Sequence, residues 1–204
     1  MVEDHGVQRA GAAIRRAAPS VEPQALELET FHTALGWMAL LSRQEVVCQL
    51  VFGYPTSEAA LTTLDRDLLV RAAARRGRTS GLARQLADFA EGAPIDFSSV
   101  AVDCGRSSAF HARVREICRQ IPYGATRTYA AVAAAAGSPG AARAVGNCMA
   151  RNRVPILVPC HRVVGSGGAL GGFSAPGGIS LKQRLLSMEA GTGSFRLSAS
   201  ATPR

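Results

Sequence analysis

The sequence predicts an α+β fold: a small N-terminal α/β support unit, then a mostly helical unit built around a helix-turn-helix. Three observations predict it. Strand-like apolar runs are confined to residues 30–102. Helical spacing with capping residues dominates after Cys104-Gly105. Charge is split between the halves: residues 1–100 hold 10 basic and 12 acidic side chains, residues 101–204 hold 13 and 3. The whole chain of 204 residues carries +8 and has a pI near 10.1. Such asymmetry points to a polyanion, nucleic acid before membrane, on the C-terminal half. An Arg-rich composition, 22 arginines against the single Lys182, is the competing source of that charge.

With 47% hydrophobic and 19% charged residues the chain can bury a core. No apolar run nears the ~20 residues of a membrane span. The N-terminus has Glu3 and Asp4 and no apolar signal region, so we expect a soluble cytoplasmic protein. The five cysteines are odd in number, scattered and free of CxxC pairs, which fits a reducing compartment and no disulfide framework. Cys104, His111 and Cys118 are spaced seven apart but match no common zinc spacing, and Cys118 falls on an apolar helix side, so no metal site is expected.

Residues 1–28 read as a tail, with Arg9, Arg15 and Arg16 on a solvated extension. Residues 29–103 form the first unit. Leu35 to Leu41 and Glu45 to Val51, separated by Ser42-Arg43-Gln44, read as a hairpin that ends at Gly53-Tyr54-Pro55. Ser57 to Arg76 reads as one helix, with Leu61, Leu64, Leu68 and Leu69 apolar. A second helix runs from Ser80, through Leu82, Leu86 and Phe89, to Gly92. Ile95, Phe97, Val100 and Val102 then suggest one more strand.

Residues 104–191 form the second unit. Ser107 or Ser108 caps a helix with Phe110, Val114, Ile117, Cys118 and Ile121 apolar, stopped by Pro122-Tyr123-Gly124. The next helix opens at Thr128-Tyr129 and ends at Gly137. Ser138 as cap and Pro139 as first residue start a third, to about Ala150. This is helix-turn-helix spelling. Its second helix is built of small residues, Ala141, Ala142, Ala144, Gly146 and Ala150, interrupted by Arg143, with Arg151 and Arg153 after its end. Small side chains let a backbone approach a surface closely. They would equally suit a tightly packed buried helix, but an unpaired Arg is costly to bury. Val154 to Pro159 is an apolar extended segment that leads into Cys160. A Gly-rich loop, Gly165 to Gly178, precedes a last helix with Ile179, Leu181, Leu185, Leu186 and Met188 apolar, ending at Glu189-Ala190-Gly191. Residues 192–204 read as a polar tail.

Pro159-Cys160-His161-Arg162 is the one place where reactive chemistry gathers. A thiolate is the nucleophile, and a neighbouring base or cation makes it available. His161 could act on Cys160 through a water, oriented by a carboxylate. Only Asp103, Glu116 and Glu189 are at hand in this half, and Glu189 has the most plausible route back.

These residues resemble a known family. Residues 104–191 are similar to the C-terminal domain of the O6-alkylguanine-DNA alkyltransferases, the methylated-DNA–protein-cysteine methyltransferases. The resemblance rests on Ile121-Pro122-Tyr123-Gly124, Thr128-Tyr129, Ala141 to Gly146, Asn152, Val154 to Val163, Gly172-Phe173-Ser174, Lys182, Leu185-Leu186 and Glu189. Residues 29–103 match the N-terminal domain more loosely, through Leu35-Gly36 and Phe52-Gly53. The resemblance implies a ribonuclease H-like N-terminal fold and a winged helix-turn-helix that enters the minor groove of duplex DNA. It implies Cys160 as alkyl acceptor, His161 and Glu189 as its activating pair, Asn152 holding the loop, and Tyr129 turning the nucleotide and protonating N3. Arg143 fills the vacated stack. Ala142, Ala144, Gly146, Thr128 and Arg151 join it at the DNA, and Phe173, Ser174 and Val163 bind the base. It implies no cofactor, a monomer, and a nucleoid or nuclear location according to the cell.

The chain departs from the family pattern at several points. Phe173 replaces a frequent Tyr, Arg153 a common Pro, Arg115 an aromatic and Ala34 a Pro, and Ala175-Pro176 reads as an insertion. Arg153 either loosens its loop or adds a phosphate contact. A non-catalytic DNA-binding protein and a cysteine hydrolase are the competing classes. The first needs no nucleophile, and the second needs an oxyanion hole that the sequence does not reveal.

Overall fold

The computed structural model describes residues 26–74 and 79–191. The expected tails, over residues 1–25 and 192–204, and the expected helix end at Arg75-Arg76 lie outside the described residues. Strand β1, Leu26–Thr33, begins inside the expected tail, because Leu26 is buried and pairs with Ala72, and Glu27 and Leu28 pair on both sides. Strand β2 is Gly36–Arg43 and β3 is Val46–Tyr54. The β1–β2 turn requires Gly36 (φ +95°), where a Cβ would meet the Tyr54 carbonyl at 2.8 Å. The β2–β3 turn is Gln44-Glu45, both at positive φ, the two-residue geometry that follows strand twist.

The expected long helix over Ser57 to Arg76 is not one element. It is α1 (Ser57–Thr63), α2 (Arg66–Val70) and a strand β4 (Ala72–Ala74). Asp65 breaks it: its carboxylate caps α2 through the N–H groups of Asp67 and Leu68. β4 then pairs parallel with β1, giving sheet order β3-β2-β1-β4. Helix α3, Gly81–Ala90, starts on Ser80, whose hydroxyl accepts from the Ala83 N–H. The strand expected across Ile95 to Val102 reduces to one bridge, Val47 to Val102. Asp96 instead binds the Ser98 N–H and hydroxyl, folding the segment into a turn.

The second unit holds α4 (Ala109–Arg119), β5 (Arg127–Thr128), α5 (Tyr129–Ala135), α6 (Ala142–Ala150), β6 (Val163–Val164) and α7 (Gly178–Glu189). Ser108 caps α4 and Thr128 caps α5. Helix α6 starts three residues later than Pro139, because Gly140 takes φ +90° and breaks the first turn. Helices α5 and α6 thus form the helix-turn-helix, packed on α4 through Val114, Cys118, Val132, Val145 and Cys148. Val154 to Pro159 is not extended: it folds into a tight loop. Ile179, expected in the core, is 49% exposed.

The core runs across residue 103. One core joins Leu40, Leu50 and Phe52 of the sheet and Phe89 of α3 to Ile121, Ile156 and Leu185 of the second unit. The opposite sheet face packs Ala39 and Leu41 against Ala60 and Leu64. Burying the sheet on both faces explains why β2 reads as a continuous apolar run. Among the described residues no helix is long and apolar enough to cross a membrane.

Candidate active site

The segment before Cys160 is a loop locked by one side chain. Asn152 Nδ2 donates to the Val158 carbonyl (2.7 Å), and its Oδ1 accepts from the Val154 N–H (3.1 Å). Between them Ile156 sits at φ +71°, a strained conformation for a β-branched residue, costing about 1–3 kcal/mol. A single 3-10 turn, Cys160–Arg162, follows and directs His161 and Arg162 inward. Cys160 itself is 5% exposed.

His161 is fully buried, and its Nε2 lies 2.8 Å from Glu189 Oε1 at the end of α7. Glu189 is otherwise saturated. Arg162 grips it through Nε and Nη2 (2.8–3.2 Å), and the Gly124 N–H reaches Oε2 at 3.2 Å. Arg162 Nη1 also donates to the Ile121 carbonyl (2.7 Å). Burial pushes the Glu189 carboxyl up, but the hydrogen bonds and charges of His161 and Arg162 outweigh it and bring its pKa to about 2. Burial pulls His161 down against the pull of Glu189, leaving a neutral ring. With Nε2–H donating to Glu189, the buried Nδ1 is the ring's open acceptor; it has no protein partner among the described residues. Burial also raises the Cys160 thiol, opposed by an Asn152 hydrogen bond, the Lys182 charge and backbone N–H groups. The resting group is therefore a thiol with a neutral imidazole beside it in sequence.

This arrangement predicts an acid effect. Glu189 titrates below its ordinary value of 4.5, so its stabilisation is complete above pH 4.5 and is lost as pH falls towards 2. The shift corresponds to about 3 kcal/mol. Glu189→Gln should destabilise the fold at pH 7 by leaving Arg162 unpaired, and its stability should be flatter between pH 4.5 and 2. Denaturant titrations at several pH values check this; an unchanged acid profile contradicts it.

An open cleft of about 600 Å³ lies over the helix-turn-helix, lined by Tyr129, Ala142, Arg143, Gly146, Phe173 and Ser174 among others. Six sequence-nominated residues thus share one cavity. Arg143 is exposed at its edge, in the first turn of α6. Tyr129 opens α5 from β5, and burial and the Cys160 charge both raise its pKa. Lys182, fully buried, donates to the Val163 carbonyl (2.6 Å) and lies 5.6 Å from the Tyr129 ring centre.

A family model described as "6-O-methylguanine DNA methyltransferase, DNA binding domain" matches residues 109–191. The methylated-DNA–protein-cysteine methyltransferase of Mycolicibacterium paratuberculosis is 37% identical over 164 residues, 80% of this chain and 92% of that one. The chain belongs to the methylated-DNA–protein-cysteine methyltransferase family. Solved structures share the mixed α/β fold. The Mycobacterium tuberculosis OGT in complex with DNA superposes with a TM-score of 0.66 at 33% identity, covering 81% of this chain and 93% of that one. The O6-methylguanine-DNA methyltransferase of Pyrococcus kodakaraensis gives 0.58 at 25%, covering 80% and 98%.

Eight nominated residues are not among those that line the cleft: Cys160, His161, Glu189 and Asn152, which make up the locked loop and its partners, and four others. Thr128 caps α5. Ala144 is half-buried and Arg151 exposed beyond it. The Val163 side chain is fully buried, with its carbonyl engaged by Lys182. Arg153 is not loose: it pairs with Asp65 at 2.8 Å. Sequence reasoning missed what holds the site from behind. Tyr123, read as a helix stop, donates to the Gly92 carbonyl (2.8 Å) and stacks under Arg162. Phe89 meets His161 edge-on (6.5 Å), and Phe52 meets Phe173 (6.2 Å). The unit expected only to support the fold therefore buttresses the reacting residues. An aromatic in a core strand or helix carries no local signal of that use.

Proposed function

We propose that the protein repairs O6-alkylguanine in duplex DNA by moving the alkyl group irreversibly to its own Cys160, once per molecule. The observation that carries this reading is the buried thiol followed directly by a neutral imidazole locked to a Glu189–Arg162 pair. The helix-turn-helix enters the minor groove, where readout is nearly sequence-blind, as a lesion searcher needs. A stacked base hides its O6 substituent, so the nucleotide is flipped into the 600 Å³ cleft. Arg143 occupies the stack, and the small residues Ala142, Ala144 and Gly146 let α6 approach closely, with Thr128 and Arg151 flanking. Phe173 packs on the base, Ser174 donates near O6, and the Val163 backbone borders the guanine.

The thiol proton passes through a water to His161 Nδ1, and Glu189 stabilises the imidazolium. Cys160 Sγ then attacks the alkyl carbon as the carbon–O6 bond breaks. The bonding pair returns to guanine, Tyr129 protonates N3, and the proton held by His161 returns through water to the tyrosinate, so that the net proton moves from thiol to guanine. The products are a thioether and an unmodified guanine. The lesion is itself the alkyl donor, so no cofactor enters the scheme, and the protein acts as a monomer. O4-alkylthymine would fit the same displacement. We read the N-terminal sheet as ribonuclease H-like and β5–β6 with α5–α6 as a winged helix-turn-helix.

Benzylating the protein with free O6-benzylguanine should abolish later repair of an O6-methylguanine duplex. Undiminished repair after full benzylation contradicts a single acceptor thiol. Duplex affinity should also fall steeply as salt rises from about 50 to 200 mM, because phosphate contacts release counterions. A flat dependence, measured by fluorescence anisotropy, would separate the basic half from DNA binding.

A further inference from the structure

We propose that Asp65 and Arg153 form a latch through which the N-terminal unit positions Asn152, and with it the reacting cysteine. The inference rests on the reading of Cys160 as alkyl acceptor and extends it to a part of the chain 95 positions away in sequence.

Arg153 directly follows Asn152 and is held twice by the N-terminal unit. Its carbonyl accepts from the Leu50 N–H on strand β3 (2.9 Å), and its Nη2 donates to Asp65 Oδ2 (2.8 Å). Asp65 has no freedom to turn away. Its Oδ1 caps α2, and its N–H donates to the buried Gln49 Oε1 (2.9 Å), one residue before Leu50. Gln49, Asp65, Arg153 and Leu50 therefore close a ring across the two units. The next residue towards the helix-turn-helix is Asn152, whose two amide atoms tie down both ends of the loop that delivers Cys160. A shift at Arg153 must move Asn152, because the two share a peptide plane. The same pairing engages a basic residue close to the proposed DNA face with a carboxylate of the N-terminal unit.

Both side chains are more than a third exposed, 37% for Arg153 and 39% for Asp65. The charge pair is therefore a modest, screenable term on top of a fixed backbone bond. That sets the size of the expected effect. Asp65→Asn keeps an oxygen for the α2 cap and loses the charge; Arg153→Met keeps the stem and the carbonyl. Each should slow transfer from free O6-benzylguanine about threefold. The combined variant should be no slower than the slower single one, since one interaction is lost once. Arg153→Lys should recover most of the rate. A fold-support role alone would not move the second readout, the pH midpoint for Cys160 alkylation by iodoacetamide, followed by peptide mass. It should rise in both neutral variants, as Asn152 holds the thiolate less well. Slowing that multiplies in the combined variant overturns the latch, and so do wild-type rates with an unmoved midpoint. A raised iodoacetamide midpoint in a protein that takes no benzyl group would uphold the latch while refuting the acceptor reading.

Discussion

Cys160→Ala is expected to take up no alkyl group from an O6-methylguanine duplex while still binding that duplex. The substitution removes the one atom on which the new bond forms and leaves the helix-turn-helix untouched, since Cys160 lies on the turn after the locked loop and not on α5 or α6. Burial raises the pKa of all four other thiols, Cys48, Cys104, Cys118 and Cys148, and none is followed by a histidine in the sequence. Cys118 is buried with its pKa pushed well up by desolvation, and Cys148 points at the His111 carbonyl. Neither has an imidazole locked behind it. Cys160→Ser should be equally silent, because a hydroxyl at the same place is a far weaker nucleophile that a neutral imidazole alone does not activate for attack on carbon. Transfer of labelled methyl to protein on a denaturing gel, beside an anisotropy titration, reads both halves. Label on either variant would place the acceptor elsewhere.

Arg143→Ala should separate DNA repair from chemistry. Arg143 is the one long side chain in the opening turns of α6, among Ala142, Ala144, Val145 and Gly146, and it is exposed and lines the cleft. Filling a vacated stack offsets part of the cost of unstacking, a few kcal/mol, so its loss should slow duplex repair by one to two orders of magnitude. Free O6-benzylguanine needs no flipping, and its rate should change less than about twofold. Equal losses on the two substrates would make Arg143 a structural residue and not a finger.

The C-terminal unit was the legible part of the sequence because its signals are local. Ser108 and Thr128 cap helices where they stand, and Cys160, His161 and Arg162 announce themselves as neighbours. Glu189 could be nominated because few carboxylates compete with it. The N-terminal unit was harder, since its outcome depends on partners far along the chain. Ser57 to Arg76 has helical spacing throughout, yet Asp65 prefers to cap, and Ala72–Ala74 prefers the open edge of β1. Pro139 at a helix start was overruled by a neighbouring glycine at positive φ. Tyr123, Phe89 and Phe52 serve the site through packing between units, which no short window of sequence encodes. Arg153 shows the same limit: its partner, Asp65, lies 88 residues away.

Intact mass before and after incubation with excess O6-methylguanine duplex tests the central claim most directly. The account predicts one gain of about 14 Da per chain, a methyl replacing a hydrogen, that maps to Cys160 and does not increase with time. An unchanged mass with the duplex still bound would contradict it, and would describe a lesion-binding protein whose cysteine is never activated.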